Sequence, residues 1–116
     1  MKGYKRSYSK SEESYLKELV LSVIPEVANE TSSTQIAGVT GLNSRDVRHL
    51  IQKLRDDGYP ICATPAKGYW LARYSYELDE TLAKLKSHIK NCTETYNALI
   101  RSQMKLKQKE YRDDND

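Results

Sequence analysis

The sequence predicts a mainly α chain with one small β-hairpin, followed by a single long C-terminal helix of coiled-coil type. Three observations predict it. From Ser32 to Asp57 two short helical patterns flank a glycine turn. From Ile61 to Ala72 two short runs of strand character flank Pro65, Ala66, Lys67 and Gly68. From Leu78 to Leu106 a seam recurs at alternating steps of four and three, in a stretch without glycine or proline.

At 116 residues the chain is about one domain's worth, with room for a modest core and no room for an added enzyme module. The formal charge is only +3, but it is unevenly spread: residues 1 to 10 carry Lys2, Lys5, Arg6 and Lys10 with no acid, residues 11 to 58 sum to −3, residues 59 to 74 to +2, and residues 75 to 116 to zero. Any basic surface is therefore local. Cys62 and Cys92 show no Cys-x-x-Cys spacing, and His49 and His88 are the only histidines, so neither a metal site nor a disulfide framework is expected. No run approaches the ~20 apolar residues of a membrane span, and the first residues lack the apolar core of a signal peptide. These features point to a reducing cytoplasm and to no membrane partner.

Met1 to Lys10 is basic, dotted with Tyr4 and Tyr8 and aperiodic, and is read as a flexible arm able to follow a phosphate backbone or enter a minor groove. The compact domain is placed at residues 11–74. Ser11, with Glu12 and Glu13 behind it, begins a first helix, because acids in the first turn complement the helix dipole. Its core stripe is Leu16, Leu19, Val20, Val23 and Ile24, and Pro25 ends it.

Ser32 and Gln35 have the spacing of a capping box for a second helix with Ile36, Ala37 and Val39 as its apolar face. Gly41 falls where the chain must turn sharply, Leu42 plugs the angle, and Asn43 followed by Asp46 caps a third helix. Val47, Leu50, Ile51 and Leu54 recur at helical spacing before Gly58, which leaves Ser44, Arg45, Arg48, His49 and Gln52 facing outward. Cationic and hydrogen-bonding side chains in the first two turns of such a helix are what a recognition helix presents to base edges in the major groove. The competing reading is an ordinary solvated face.

Ile61 to Thr64 and Tyr69 to Ala72 then form the hairpin, with Ile61, Ala63, Tyr69 and Leu71 toward the helices, Cys62 and Trp70 on the opposite face, and Lys67 at the tip. A hairpin directly after a recognition helix is a wing. Here the run IQKLRDDGYPICATPAKGYWL, with QIAGVTGLN ahead of it, resembles the N-terminal winged helix-turn-helix domain of bacterial biotin repressors and related regulators over residues 14 to 72. The resemblance rests on the Leu-Arg-Asp-x-Gly and Pro-x-Lys-Gly-Tyr patterns. It implies that Asn43 caps the recognition helix, that Ser44, Arg45, Arg48 and His49 face DNA, and that Lys67 sits at the wing tip. Biotin repressors continue into a ligase domain with a Gly-Arg-Gly-rich loop; nothing of that kind follows here, so ligase activity and biotin are not carried over and no cofactor is expected.

Residues 75–112 are instead read as one long dimerisation helix, with residues 113–116 as a disordered acidic tail. Its seam is Leu78, Leu82, Leu85, Ile89, Cys92, Tyr96, Leu99, Gln103 and Leu106, sustained over about four heptads and roughly 45 to 50 Å long. Pairing with a second copy is expected, with orientation and partner number open; folding back on the winged domain is the alternative. The flanking positions Thr81, Lys86, His88, Thr93, Thr95 and Ile100 carry no complementary charges.

No catalytic constellation emerges: the histidines lie far apart, no Ser-His-Asp or Cys-His spacing is suggestive, and the glycines form no phosphate-cradling loop. The expected function is sequence-specific binding of double-stranded DNA by a homodimeric transcriptional regulator without catalysis. The winged unit plus one long helix also resembles replication-terminator and PadR-like proteins, so a replication or plasmid-maintenance role is the alternative within DNA binding. A winged-helix adaptor that docks a heterologous protein is the alternative from another class.

Overall fold

The computed structural model describes residues 9 to 115, the side chain of Asn115 excepted, so residues 1 to 8 of the basic arm lie outside the described residues. The chain is mainly α with a two-stranded antiparallel hairpin and a long C-terminal helix. Helix α1 spans Lys10–Val23, α2 Ser33–Thr40 and α3 Ser44–Asp56; strands β1 and β2 span Ile61–Thr64 and Gly68–Leu71; a 3-10 turn at Ser75–Leu78 leads into α4, Asp79–Asn115.

Helix α1 starts ahead of the expected Ser11. Ser9 is its N-cap, and Glu12 completes the box by accepting from the Ser9 N–H at 3.0 Å while the Ser9 hydroxyl accepts from the Glu12 N–H at 3.1 Å. Ser9 and Lys10 therefore belong to the helix and not to the arm. The helix stops at Val23, ahead of Pro25. Val20 and Ile24 are buried, and Leu16, Leu21 and Val23 pack on the core from its margin.

The Ser32–Gln35 capping box of α2 is present as predicted. Ile36 and Ala37 are buried, but Val39 is 72% exposed, because the other helices cover only the side of this short helix that carries Ile36 and Ala37. Gly41 adopts φ +80°, a left-handed conformation that only glycine enters cheaply, and its N–H donates to the Ala37 carbonyl at 2.9 Å. The core is Val20, Ile24, Ile36, Ala37, Val47, Leu50, Ile51, Leu54 and Ile61, so one hairpin residue joins three helices.

Register pairs Ile61 with Leu71, Cys62 with Trp70, Ala63 with Tyr69 and Thr64 with Gly68. Ile61, Tyr69 and Leu71 meet the helices as predicted. The opposite face is also covered: Cys62 and Trp70 are buried, because the 3-10 turn and the start of α4 lie over them. Both hairpin edges are closed as well, which removes unpaired strand groups that would invite another chain. Along β2, Tyr69 N–H donates to Thr31 O at 2.8 Å and Leu71 N–H to Pro25 O at 2.7 Å. Gly68 sits at φ +74°, and a Cβ there would meet the Thr31 carbonyl oxygen at 2.4 Å, so the approach of Thr31 excludes any side chain. Along β1, the Thr81 hydroxyl accepts from the Ala63 N–H at 3.0 Å and donates to its carbonyl at 3.3 Å.

The first compact unit consequently runs through Thr81, beyond the expected end at Tyr74. The second unit starts at Leu82 and is the remainder of α4. Helix α4 continues to Asn115, so Asp113 and Asp114 extend a helix where a disordered tail is expected. Every residue from Leu82 to Asp114 is exposed. No helix among the described residues is long and apolar enough to cross a membrane.

Candidate nucleic-acid interface

Helix α3 is held at its start by Asn43, whose side-chain oxygen accepts from the Asp46 N–H at 2.8 Å, and along its length by Val47, Leu50, Ile51 and Leu54, each at most 2% exposed. Four buried anchors on one face fix which residues occupy the other. Arg45, Arg48 and Gln52 are exposed, and Ser44 and His49 are half-buried beside them, so the five predicted α3 residues lie together on one surface. Arg48 reaches across to α2, its Nη1 donating to the Ser33 hydroxyl at 3.4 Å. Ser32 and Ser33 line a groove with Thr64, Pro65 and Tyr69 of the hairpin, which places that groove beside Arg48. Serine and hairpin positions of this kind carry no pattern that the sequence alone would single out.

Three further cations of α1 and α3 have partners of their own. Lys53 pairs with Glu13 at 3.3 Å and Lys17 with Asp57 at 2.6 Å, both linking α1 to α3. The hydrogen bond to Asp57 raises the Lys17 pKa above its ordinary value. Arg55 Nε donates to the Ile61 carbonyl at 2.9 Å and ties the end of α3 to β1.

Lys67 is not gathered with the arginines. It lies in the hairpin turn, where its N–H donates to the Thr64 hydroxyl and its carbonyl accepts from the Glu30 N–H. Its ammonium is 3.9 Å from Glu80 and 5.8 Å above the Trp70 ring, on the hairpin face away from the α3 core contacts. An exposed pair at that distance is worth well under about 1 kcal/mol, so the side chain is free to leave it.

Around Trp70 is a second, open groove lined by Glu26, Val27, Tyr74, Tyr76, Glu77 and Glu80 among others, with the Tyr74 and Tyr76 rings stacked at 5.9 Å. Glu77 organises it: one carboxylate oxygen accepts from the Trp70 indole at 2.8 Å and the other from the Arg73 and Tyr74 N–H groups at 2.9 Å. These donors, the Arg73 N–H foremost, hold its carboxyl below the usual carboxylate range.

Burial pushes the Cys62 thiol up, away from the thiolate a nucleophile needs. Cys92 Sγ stands 3.6 Å from His88 Nε2, one turn apart on α4, both residues exposed. Of the seam residues expected to pair, Leu82, Leu85, Ile89, Cys92, Tyr96, Leu99 and Leu106 are all exposed along α4, whereas Leu78 is half-buried in the 3-10 turn. The chain matches no protein-family model, no curated protein and no solved structure.

Proposed function

We propose that this chain binds double-stranded DNA sequence-specifically as a homodimeric winged-helix transcriptional regulator of the cytoplasm, with the hairpin as its wing and without catalysis. The observation that carries the reading is the outward face of α3: Arg45, Arg48 and Gln52 exposed, with Ser44 and His49 beside them, on a helix locked by a fully buried stripe. Early arginines on such a helix hydrogen-bond guanine edges, and a rigid mount keeps the ordering cost of those contacts low. Ser33, joined to Arg48, supports a neighbouring phosphate contact.

Selection of binding sites from random duplexes tests the reading, with an enriched palindrome as the expected result. Arg45→Ala and Arg48→Ala each weaken binding to the selected site by about 1–3 kcal/mol and relax base preference, measured by gel shift. Lys67→Ala weakens selected and random duplexes alike and lowers the salt slope by roughly one. If selection enriches nothing and neither arginine change alters binding, the recognition-helix assignment is wrong.

The second reading, a protein-interaction adaptor, has one observation in its favour. The groove beside the hairpin is aromatic and carries more acids than cations, with Glu26, Glu77, Asp79 and Glu80 along it against Lys67 and Arg73 and with Tyr74 and Tyr76 more than half exposed, a surface suited to a protein partner. A failed duplex selection favours that reading.

A further inference from the structure

We propose that α4 pairs antiparallel with α4 of a second copy, in the register that sets Cys92 against Tyr96. The proposal rests on the homodimer reading above and adds the orientation and register of the pair.

The unpartnered surface is large. Along α4, Leu82 is 57% exposed, Leu85 44%, Ile89 65%, Tyr96 65%, Leu99 65% and Leu106 58%. An isolated helix gains little from its own hydrogen bonds in water, and its stability comes from burial of an apolar face. With Leu82, Ile89, Tyr96 and Gln103 at the a positions of a heptad and Leu85, Cys92, Leu99 and Leu106 at the d positions, the two orientations make different layers.

A parallel pair sets each seam residue against its own copy. Cys92 against Cys92 then leaves a thin layer directly beside the thick one of Tyr96 against Tyr96, and cores tolerate such alternating void and excess badly. The antiparallel register sets Leu82 against Leu106, Leu85 against Gln103, Ile89 against Leu99 and Cys92 against Tyr96, so every large residue but one meets an apolar partner and the small thiol meets the largest ring. Sliding by a heptad toward the helix start leaves Leu106 uncovered; sliding the other way sets Leu82 against Asp113 and Leu85 against Glu110.

Charge selects the same arrangement. Glu77, Asp79 and Glu80 stand at the start of α4 and in the turn before it, whereas Lys105, Lys107, Lys109 and Arg112 stand toward its end, interrupted by Glu110 and followed by Asp113 and Asp114. A parallel pair holds the four basic residues alongside four more. The antiparallel pair brings them to the acidic start, with Asp79 flanking Lys107 of the second copy at an e position on each side, and it opposes the two helix dipoles. Lys86 then lies along Ile100, where its stem covers the methyls. Asp79 is level with Lys109 of the second copy, so the two α4 starts are about 45 Å apart at ~1.5 Å per residue.

Oxidative cross-linking reads the orientation directly. A disulfide needs Cα atoms within about 7 Å. In the antiparallel register the two Cys92 residues are displaced by about 6 Å along the axis in addition to an interhelix distance of ~8–10 Å, out of reach. Wild-type protein treated with diamide is expected to form no interchain disulfide at Cys92. In a Cys92→Ser background, Leu82→Cys alone and Leu106→Cys alone are expected to stay uncross-linked, and a mixture of the two is expected to yield a covalent dimer. Sedimentation of untreated wild-type chain accompanies the set. Cross-linking at wild-type Cys92, or of either cysteine variant alone, overturns the antiparallel pair while leaving the homodimer standing; a dimer by sedimentation with no cross-link in the mixture overturns this register. A monomer at all concentrations overturns both, and DNA binding is judged apart from either by the duplex selection.

Discussion

Residues 9–81 and the rest of α4 solve the same physical problem in opposite ways. In the first unit Val20, Ile36 and Val47 are fully buried and the hairpin has both edges closed within the chain. Beyond Thr81, leucines and isoleucines of the same chemistry stand 38% to 65% exposed. Burial of one such side chain is worth about 1.5–3 kcal/mol, so the first unit is stabilised by its own packing, a contribution the exposed side chains of the second do not make within the chain. Two substitutions break or sharpen this contrast. Leu50→Ala, at 1% exposure in the middle of the core, is expected to lower the unfolding free energy by about 2–5 kcal/mol at any protein concentration, measured by urea titration. Leu99→Ala is expected to leave the unfolding of the first unit unchanged and to shift only the concentration dependence of α4 helicity, followed by circular dichroism on dilution. Equal effects of the two would remove the distinction.

What the sequence made legible, and what it did not, divides along range of interaction. The Ser32–Gln35 box, the Gly41 turn, the Asn43 cap and the α3 stripe are all signals within a few residues of each other, and each is found where its spacing places it. Closure of the hairpin depends on partners remote in sequence. Nothing in the pattern around Thr31 announces that it will lie against Gly68, and nothing around Thr81 announces a hydroxyl bonded to Ala63. Alternation correctly put Cys62 and Trp70 on the face away from the helices; their burial there depends on Glu77 and Thr81, which heptad spacing assigns to the long helix. Among the candidate site residues the α3 group was legible for the same local reason, whereas the direction taken by Lys67 is set by Glu80 and Trp70.

The boundary between the two regions is the next place to press. A chain ended after Tyr74 loses the cover over Trp70 and Cys62, and re-exposing the Trp70 side chain alone costs about 2–3 kcal/mol. A chain ended after Lys84 keeps Glu77 and Thr81 and is expected to retain the full-length unfolding midpoint as a monomer. Comparison of the two truncations by urea titration and sedimentation decides whether the first unit ends with the hairpin or with the first turn of α4. Equal midpoints would place the boundary at the hairpin.

The smallest expected effect belongs to Glu77, the residue that joins the hairpin to the turn before α4. Its carboxylate accepts from the Trp70 indole and from the Arg73 and Tyr74 N–H groups, and these donors favour the ionised form, so its folded pKa lies below the ordinary value of 4.5. A depressed carboxyl contributes stability that is complete above the unfolded value and is lost as pH falls through the folded one. Glu77→Gln keeps one acceptor oxygen and the side-chain shape but removes the charge. The variant is therefore expected to melt modestly lower than wild type at neutral pH, with the difference narrowing as pH drops below about 4.5, where the unfolded chain takes up its proton first, and closing once the folded carboxyl is protonated as well. Thermal melts of the two proteins across that range read the effect. A gap that stays constant with pH would mean that Glu77 acts through shape and hydrogen-bond number alone, and that its charge is no part of what closes the outer face of the hairpin.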